Sequence, residues 1–174
     1  MLNKKFFLLF LLVVFVVALR LVPHLPNFTP VIAVALMAGI YLGKKWAIIL
    51  PLAGLLISDF FVGLYELPLM LIVYGSFAII GLFSWWLRKN KNLFNVFVAS
   101  LLASLFFFIT TNLAVWAFTP WYSKDLAGLV YCFQLAVPFF RHAVAGDLFY
   151  VVALFCVLEL IDVSIKQKQL AFAH

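Results

Sequence analysis

The run LFNVFVASLLASLFFFITTNLAVWAF, residues 93–118, holds no Asp, Glu, Lys or Arg. A membrane-spanning helix needs about 20 predominantly apolar residues, and this run exceeds that length without a break. Its apolar residues are continuous, whereas the strands of a membrane β-barrel alternate at period two. The run therefore predicts a transmembrane helix. The rest of the chain has the same character: 68% of its 174 residues are hydrophobic and 10% are charged, a balance foreign to soluble domains. Six spans would use about 120 positions and leave about 54 for connections and ends, which excludes an appended soluble domain.

Towards the N-terminus, four further spans precede this one. MLNKKFFLLFLLVVFVVALR opens with lysines and continues apolar, but no small-x-small cleavage site precedes Arg20, so residues 6–19 read as a first span rather than a removed signal. Residues 31–42 form a short second span whose Ala33, Ala35, Ala38 and Gly39 suit close helix contact. The third, 46–62, contains Pro51, so a neighbouring helix must answer the carbonyl that proline leaves free. The fourth covers 68–87. Beyond the turn TPWYSKD, residues 126–140 stop at Pro138 and are too short to cross comfortably, so they predict a re-entrant or interfacial helix before a sixth span at 141–160. The expected fold is thus a single all-α membrane domain over residues 1–174, a bundle of six transmembrane helices.

Charge orients it. With both termini in the cytoplasm, nine of the twelve basic residues fall inside (Lys4, Lys5, Lys44, Lys45, Arg88, Lys89, Lys91, Lys166 and Lys168), and Arg20, Lys124 and Arg141 fall outside. The net charge of +6 is spent on topology, and no nucleic-acid partner is expected. Cys132 and Cys156 lie in apolar surroundings with no CxxC motif, and no histidine pair has ligand spacing, so neither metal nor cofactor is expected. No phosphate-binding loop, GxSxG elbow or HExxH motif is present, and no catalytic residue is expected.

Polar residues in such a chain are costly, by about 2.5–3.5 kcal/mol for an ionisable group at mid-span, and therefore informative. On this topology Arg20, His24, Asn27, Asp59, Asn112, Trp116, Arg141 and Asp147 collect towards the outer side and predict an outward-facing polar cavity. Asp59, Arg141 and Asp147 should face the bundle interior with partners, either as a structural ion pair such as Asp59 with Arg141 or as the wall of a solute site. Asn112 and Trp116, four apart, share a helix face, and form either a recognition pair or part of the outer aromatic belt with Trp121 and Tyr122. Glu66 and Asp125 read as solvated loop-edge groups.

Six segments carry a resemblance: RLVPHLPNFTP (20–30), AVALMAG (33–39), PLAGLLISDFFVG (51–63), TNLAVW (111–116), GLVYCFQLAVPFF (128–140) and GDLFY (146–150). In this order they resemble an uncharacterised family of small bacterial membrane proteins. That family is in turn similar to the substrate-binding S-components of energy-coupling-factor vitamin transporters, in particular the solitary vitamin B12 S-components. The resemblance implies six helices, an outward vitamin pocket and a bacterial inner-membrane location, and it places His24, Asp59, Tyr74 and Arg141 in the order of the pocket positions. The cobalt-coordinating cysteine of the B12 proteins has no counterpart between Phe60 and Tyr74. The function expected is a substrate-binding membrane subunit in the lipid bilayer for uptake of a vitamin-like solute, such as cobalamin, energised by an ECF-type ATPase module in trans. In this reading Arg20, His24 and Arg141 donate, Asp59 and Asp147 accept, and Tyr74 and Trp116 stack. The alternatives are an assembly factor that binds another membrane protein, or a membrane enzyme using Asp59, His142 and Asp147 as acid and base.

Overall fold

The computed structural model describes residues 2–23 and 25–171, with side chains for 7–23, 25–161 and 163. Among the described residues every regular element is helical: α1 (Leu2–Leu21), α2 (Val31–Tyr41), α3 (Lys44–Val62), α4 (Leu67–Lys89), α5 (Leu93–Phe118) and α6 (Leu126–Ala171). Four of them, α3 to α6, are long and apolar enough to cross a membrane. Large apolar side chains such as Phe60, Phe83, Phe94 and Leu126 stand exposed on the outer faces. That suits a protein whose solvent there is lipid.

The small-residue helix α2 forms the core. It touches each of the five other helices, and residues 31–40 are all buried. With 11 residues it is about 16 Å long, roughly half the thickness of a bilayer's hydrocarbon layer. A helix that short leaves polar ends at membrane depth, which is tolerable only inside a shell of protein. At its C-terminal end the Leu42 and Gly43 amides both donate to the Ala38 carbonyl, at 2.8 and 2.9 Å. At the same end of the bundle the Tyr41 hydroxyl donates to Glu159 of α6, Lys91 pairs with that carboxylate, and Lys44 and Lys89 sit over the Trp85 ring.

The expected break between an interfacial helix at 126–140 and a span at 141–160 is absent. Both lie on α6, one helix of 46 residues, about 69 Å long against a hydrocarbon layer of about 30 Å. Pro138 removes one backbone hydrogen bond and is exposed. Contacts on both sides of it hold α6 along α5. Phe133 meets Phe108 edge-on and Phe140 lies tilted against it, with ring centroids 5.4 and 4.4 Å away, and the Cys132 thiol donates to the Asn112 carbonyl at 3.6 Å. Tertiary packing thus outweighs the local signal that proline gives. The expected loop-edge carboxylate Asp125 is exposed and starts this helix: its Oδ1 accepts from the Gly128 amide at 2.7 Å and the Ser123 hydroxyl at 2.8 Å. Those donors, the Gly128 amide first, favour the charged form and hold its pKa below the ordinary carboxylate value.

Candidate functional site

At the opposite end of the bundle from Glu159, the last turns of α1 and α3 bring Arg20 beside Asp59. Arg20 Nη2 donates to Asp59 Oδ1 at 2.7 Å, and Tyr74 of α4 donates from its hydroxyl to Oδ2 at 2.9 Å. Asp59 is 1% exposed. Both of its oxygens are engaged, as a buried carboxylate requires. Arg20 satisfies one arm of its fork in this way, while its Nη1 is buried with no hydrogen-bond partner among the described residues.

Arg20 also lines a cavity of about 210 Å³. Its polar wall is assembled from four elements: Arg20 at the end of α1, Asn27 and Thr29 from the loop before α2, Tyr65 from the α3–α4 loop, and Asp147 from α6. Its apolar wall includes Ile32, Leu55, Val73, Phe77 and Phe107, with the two phenylalanine rings 4.7 Å apart. Asn27 is the one described non-glycine residue with positive φ, at 62°, a conformation that asparagine tolerates better than most residues. It closes the turn PNF that hangs the loop over the cavity, and the Phe28 amide bonds the Leu25 carbonyl there at 3.0 Å. Asp147 is 4% exposed and accepts from the Ser104 hydroxyl of α5 at 2.7 Å. No cation pairs with it among the described residues.

Gly146, next to Asp147, lets the loop approach. A Cβ there would fall 2.9 Å from Phe28 Cα and 3.0 Å from its ring. Gly146→Ala is therefore expected to displace the segment carrying Asn27 and Thr29 while leaving the helices in place. Thermal unfolding should change little, and chymotrypsin should cut faster after Phe28, which lies in that loop.

Tyr65, which the sequence did not single out, closes the cavity from the side of Asp59. Partial burial, followed by the Asp59 carboxylate, pushes its hydroxyl up to about 12 from an ordinary 10.0. Below pH 10 both folded and unfolded chains hold this proton. As pH climbs from about 10 through about 12 only the unfolded chain releases it, so stability falls over that window. A difference titration of the tyrosinate absorption band between wild type and Tyr65→Phe should show the missing tyrosine ionising near 12 rather than near 10.

Of the residues expected to line the site, Arg20, Asn27 and Asp147 line the cavity, and Asp59 and Tyr74 hold Arg20 in place. His24 lies outside the described residues. The expected pairing of Asp59 with Arg141 is replaced by Asp59 with Arg20. Arg141 is exposed and absent from the cavity wall, because it stands six residues before Asp147, about 120° away around α6. Asn112 and Trp116 do share a face, but it turns to the start of α6. The Asn112 side chain donates to its own helix at Phe108 O, 2.7 Å away. Trp116 Nε1 donates to the Ser123 carbonyl at 2.9 Å, with Lys124 over its ring.

A buried ion pair that steadies one arm of an arginine, and a cavity sharing that arginine with a buried carboxylate, are the chemistry on offer. Residues 1–170 match the model of a family described as a family of unknown function (DUF6580). The chain belongs to that family. No curated protein and no solved structure matches it. Among the described residues of this family member, no group of three or more His, Cys, Asp and Glu side chains could hold a metal ion.

Proposed function

We propose that this protein is a substrate-binding membrane subunit that takes a small water-soluble solute into the cavity between Arg20 and Asp147 and passes it across the bilayer. The observation that carries this reading is the cavity itself. A polar wall drawn from four separate elements, inside a chain that is 68% hydrophobic, is expensive to maintain unless a polar solute uses it. The topology that fits is six spans with both termini in the cytoplasm of a bacterial inner membrane, because Lys44, Lys45, Arg88, Lys89 and Lys91 then face inward and the cavity faces outward. With no nucleotide-binding motif in the chain, uphill uptake draws its energy from an ATPase module in trans, as in the energy-coupling-factor transporters whose S-components it resembles.

The volume refines the substrate. About 210 Å³ falls below the 300–1,000 Å³ typical of drug-sized ligands, and a corrinoid is larger than those, so the cavity favours a much smaller solute than cobalamin. The test is a thermal-shift screen of the detergent-purified protein against a library of water-soluble vitamins and metabolites, with native mass spectrometry to detect a co-purifying small molecule. A bound mass together with a stabilising compound supports the reading. If no compound raises the melting temperature and no small mass co-purifies, the solute-binding reading fails.

A further inference from the structure

The ionic balance of the cavity wall identifies a class of solute. Arg20 and Asp59 neutralise one another at 2.7 Å. Asp147, 4% exposed, has the Ser104 hydroxyl as its donor and no cation among the described residues. A carboxylate at that depth is stable in its charged form only beside a positive charge. The aromatic rings of Tyr65, Phe77 and Phe107 line the same cavity, and aromatic walls favour an ammonium group through their negative faces. Arg20 Nη1, buried and without a partner among the described residues, offers one donor to an acceptor at the solute's other end.

We infer that the cavity takes a small amine bearing a carboxylate or carbonyl at its far end, a zwitterion of amino-acid size. The ammonium pairs with Asp147 and lies against the aromatic wall, and the acceptor takes the hydrogen bond of Arg20 Nη1. Asp59 and Tyr74 are positioning residues that fix the guanidinium. The roughly 210 Å³ of the cavity suits a molecule of this size better than a drug-sized one. This assignment rests on the solute-binding reading above and goes one step beyond it.

Four probes of matched length separate the contributions: β-alanine carries both charges, propylamine the ammonium alone, propionate the carboxylate alone, and propionamide neither. Binding to the full chain in detergent is read by thermal shift and by equilibrium dialysis. β-Alanine should bind tightest and propylamine next, with propionate and propionamide weakest. Asp147→Asn, which keeps the shape and the acceptor for Ser104, should weaken β-alanine by roughly 10- to 100-fold, the usual worth of a hydrogen bond to a charged group, and Asp147→Glu should retain it. The ranking of the four probes on the unaltered protein stands whether or not a variant folds. If propionate or propionamide matches β-alanine, or Asp147→Asn binds β-alanine unchanged, the amine assignment is overturned and solute binding stands. If neither these probes nor any library compound binds, both readings fall together.

Discussion

Asp59→Ala is expected to destabilise the protein by about 3–5 kcal/mol, the cost of leaving one partner of a buried pair without the other. Arg20 has a side chain only 18% exposed, and its Nη1 is already without a partner among the described residues. Removing Asp59 would leave both arms of the guanidinium unanswered, and Tyr74 would lose the oxygen it donates to at 2.9 Å. Unfolding by SDS or urea in mixed micelles, followed by circular dichroism, measures the loss. Arg20→Met should be milder, since methionine can lie along apolar surface, and the double variant Arg20→Met with Asp59→Leu should recover most of the stability, because a hydrophobic pair of similar volume needs no ionic partner. Tyr74→Phe removes one hydrogen bond to a charged acceptor and should cost about 1.5–3 kcal/mol. A double variant no more stable than Asp59→Ala would show that the pair does more than neutralise itself.

The same pair shows where sequence reading reaches its limit. That Asp59 needs a partner follows from its place in an apolar run; which cation supplies it depends on helix phase and depth. Arg20 and Arg141 were both available. Helix phase within α6 holds the missing signal: Ala143 and Asp147, four apart, share the face that lines the cavity, and Arg141 does not fall on it. Tyr65 left no such trace, because it belongs to a four-residue connection whose path depends on Gly63 at φ 119°. The helix positions, by contrast, followed from length and apolarity, and the small residues of 31–42 marked the helix that the others surround. The break expected at Pro138 does not form, for a physical reason. A proline forbids one hydrogen bond, and the ring contacts of Phe133 and Phe140 to Phe108 on α5 lie on either side of it.

Pro51 presents the same chemistry with the opposite consequence, and it leads to the second large effect. It is buried within α3, and with no N–H it leaves the carbonyl of Ala47, four residues earlier, without its helical donor. The sequence demanded that a neighbouring helix meet that carbonyl. Gly81 of α4 does so by proximity: a Cβ added there would stand 2.4 Å from the Ala47 oxygen and 2.9 Å from its carbon. The glycine Cα–H is thus brought against the orphaned oxygen, a weak donor where no side chain would fit. Gly81→Ala cannot be absorbed by a rotamer change, because the obstacle is backbone, so α3 and α4 must separate. The expected loss is about 3 kcal/mol, the upper part of the range for overpacking a well-filled interior. Gly75→Ala is the control on the same helix, since nothing lies within 4 Å of its added Cβ; stability there should hold or rise by up to about 1 kcal/mol from helix propensity alone. Both are read from the same micellar unfolding curves. Equal changes at the two positions would mean that contact with the Ala47 carbonyl does not set the requirement for glycine at position 81. A loss confined to Gly81 shows that the close approach of α4 to the Ala47 carbonyl sets the requirement, and Pro51→Ala combined with Gly81→Ala should recover little, since the bulk of the new methyl group remains.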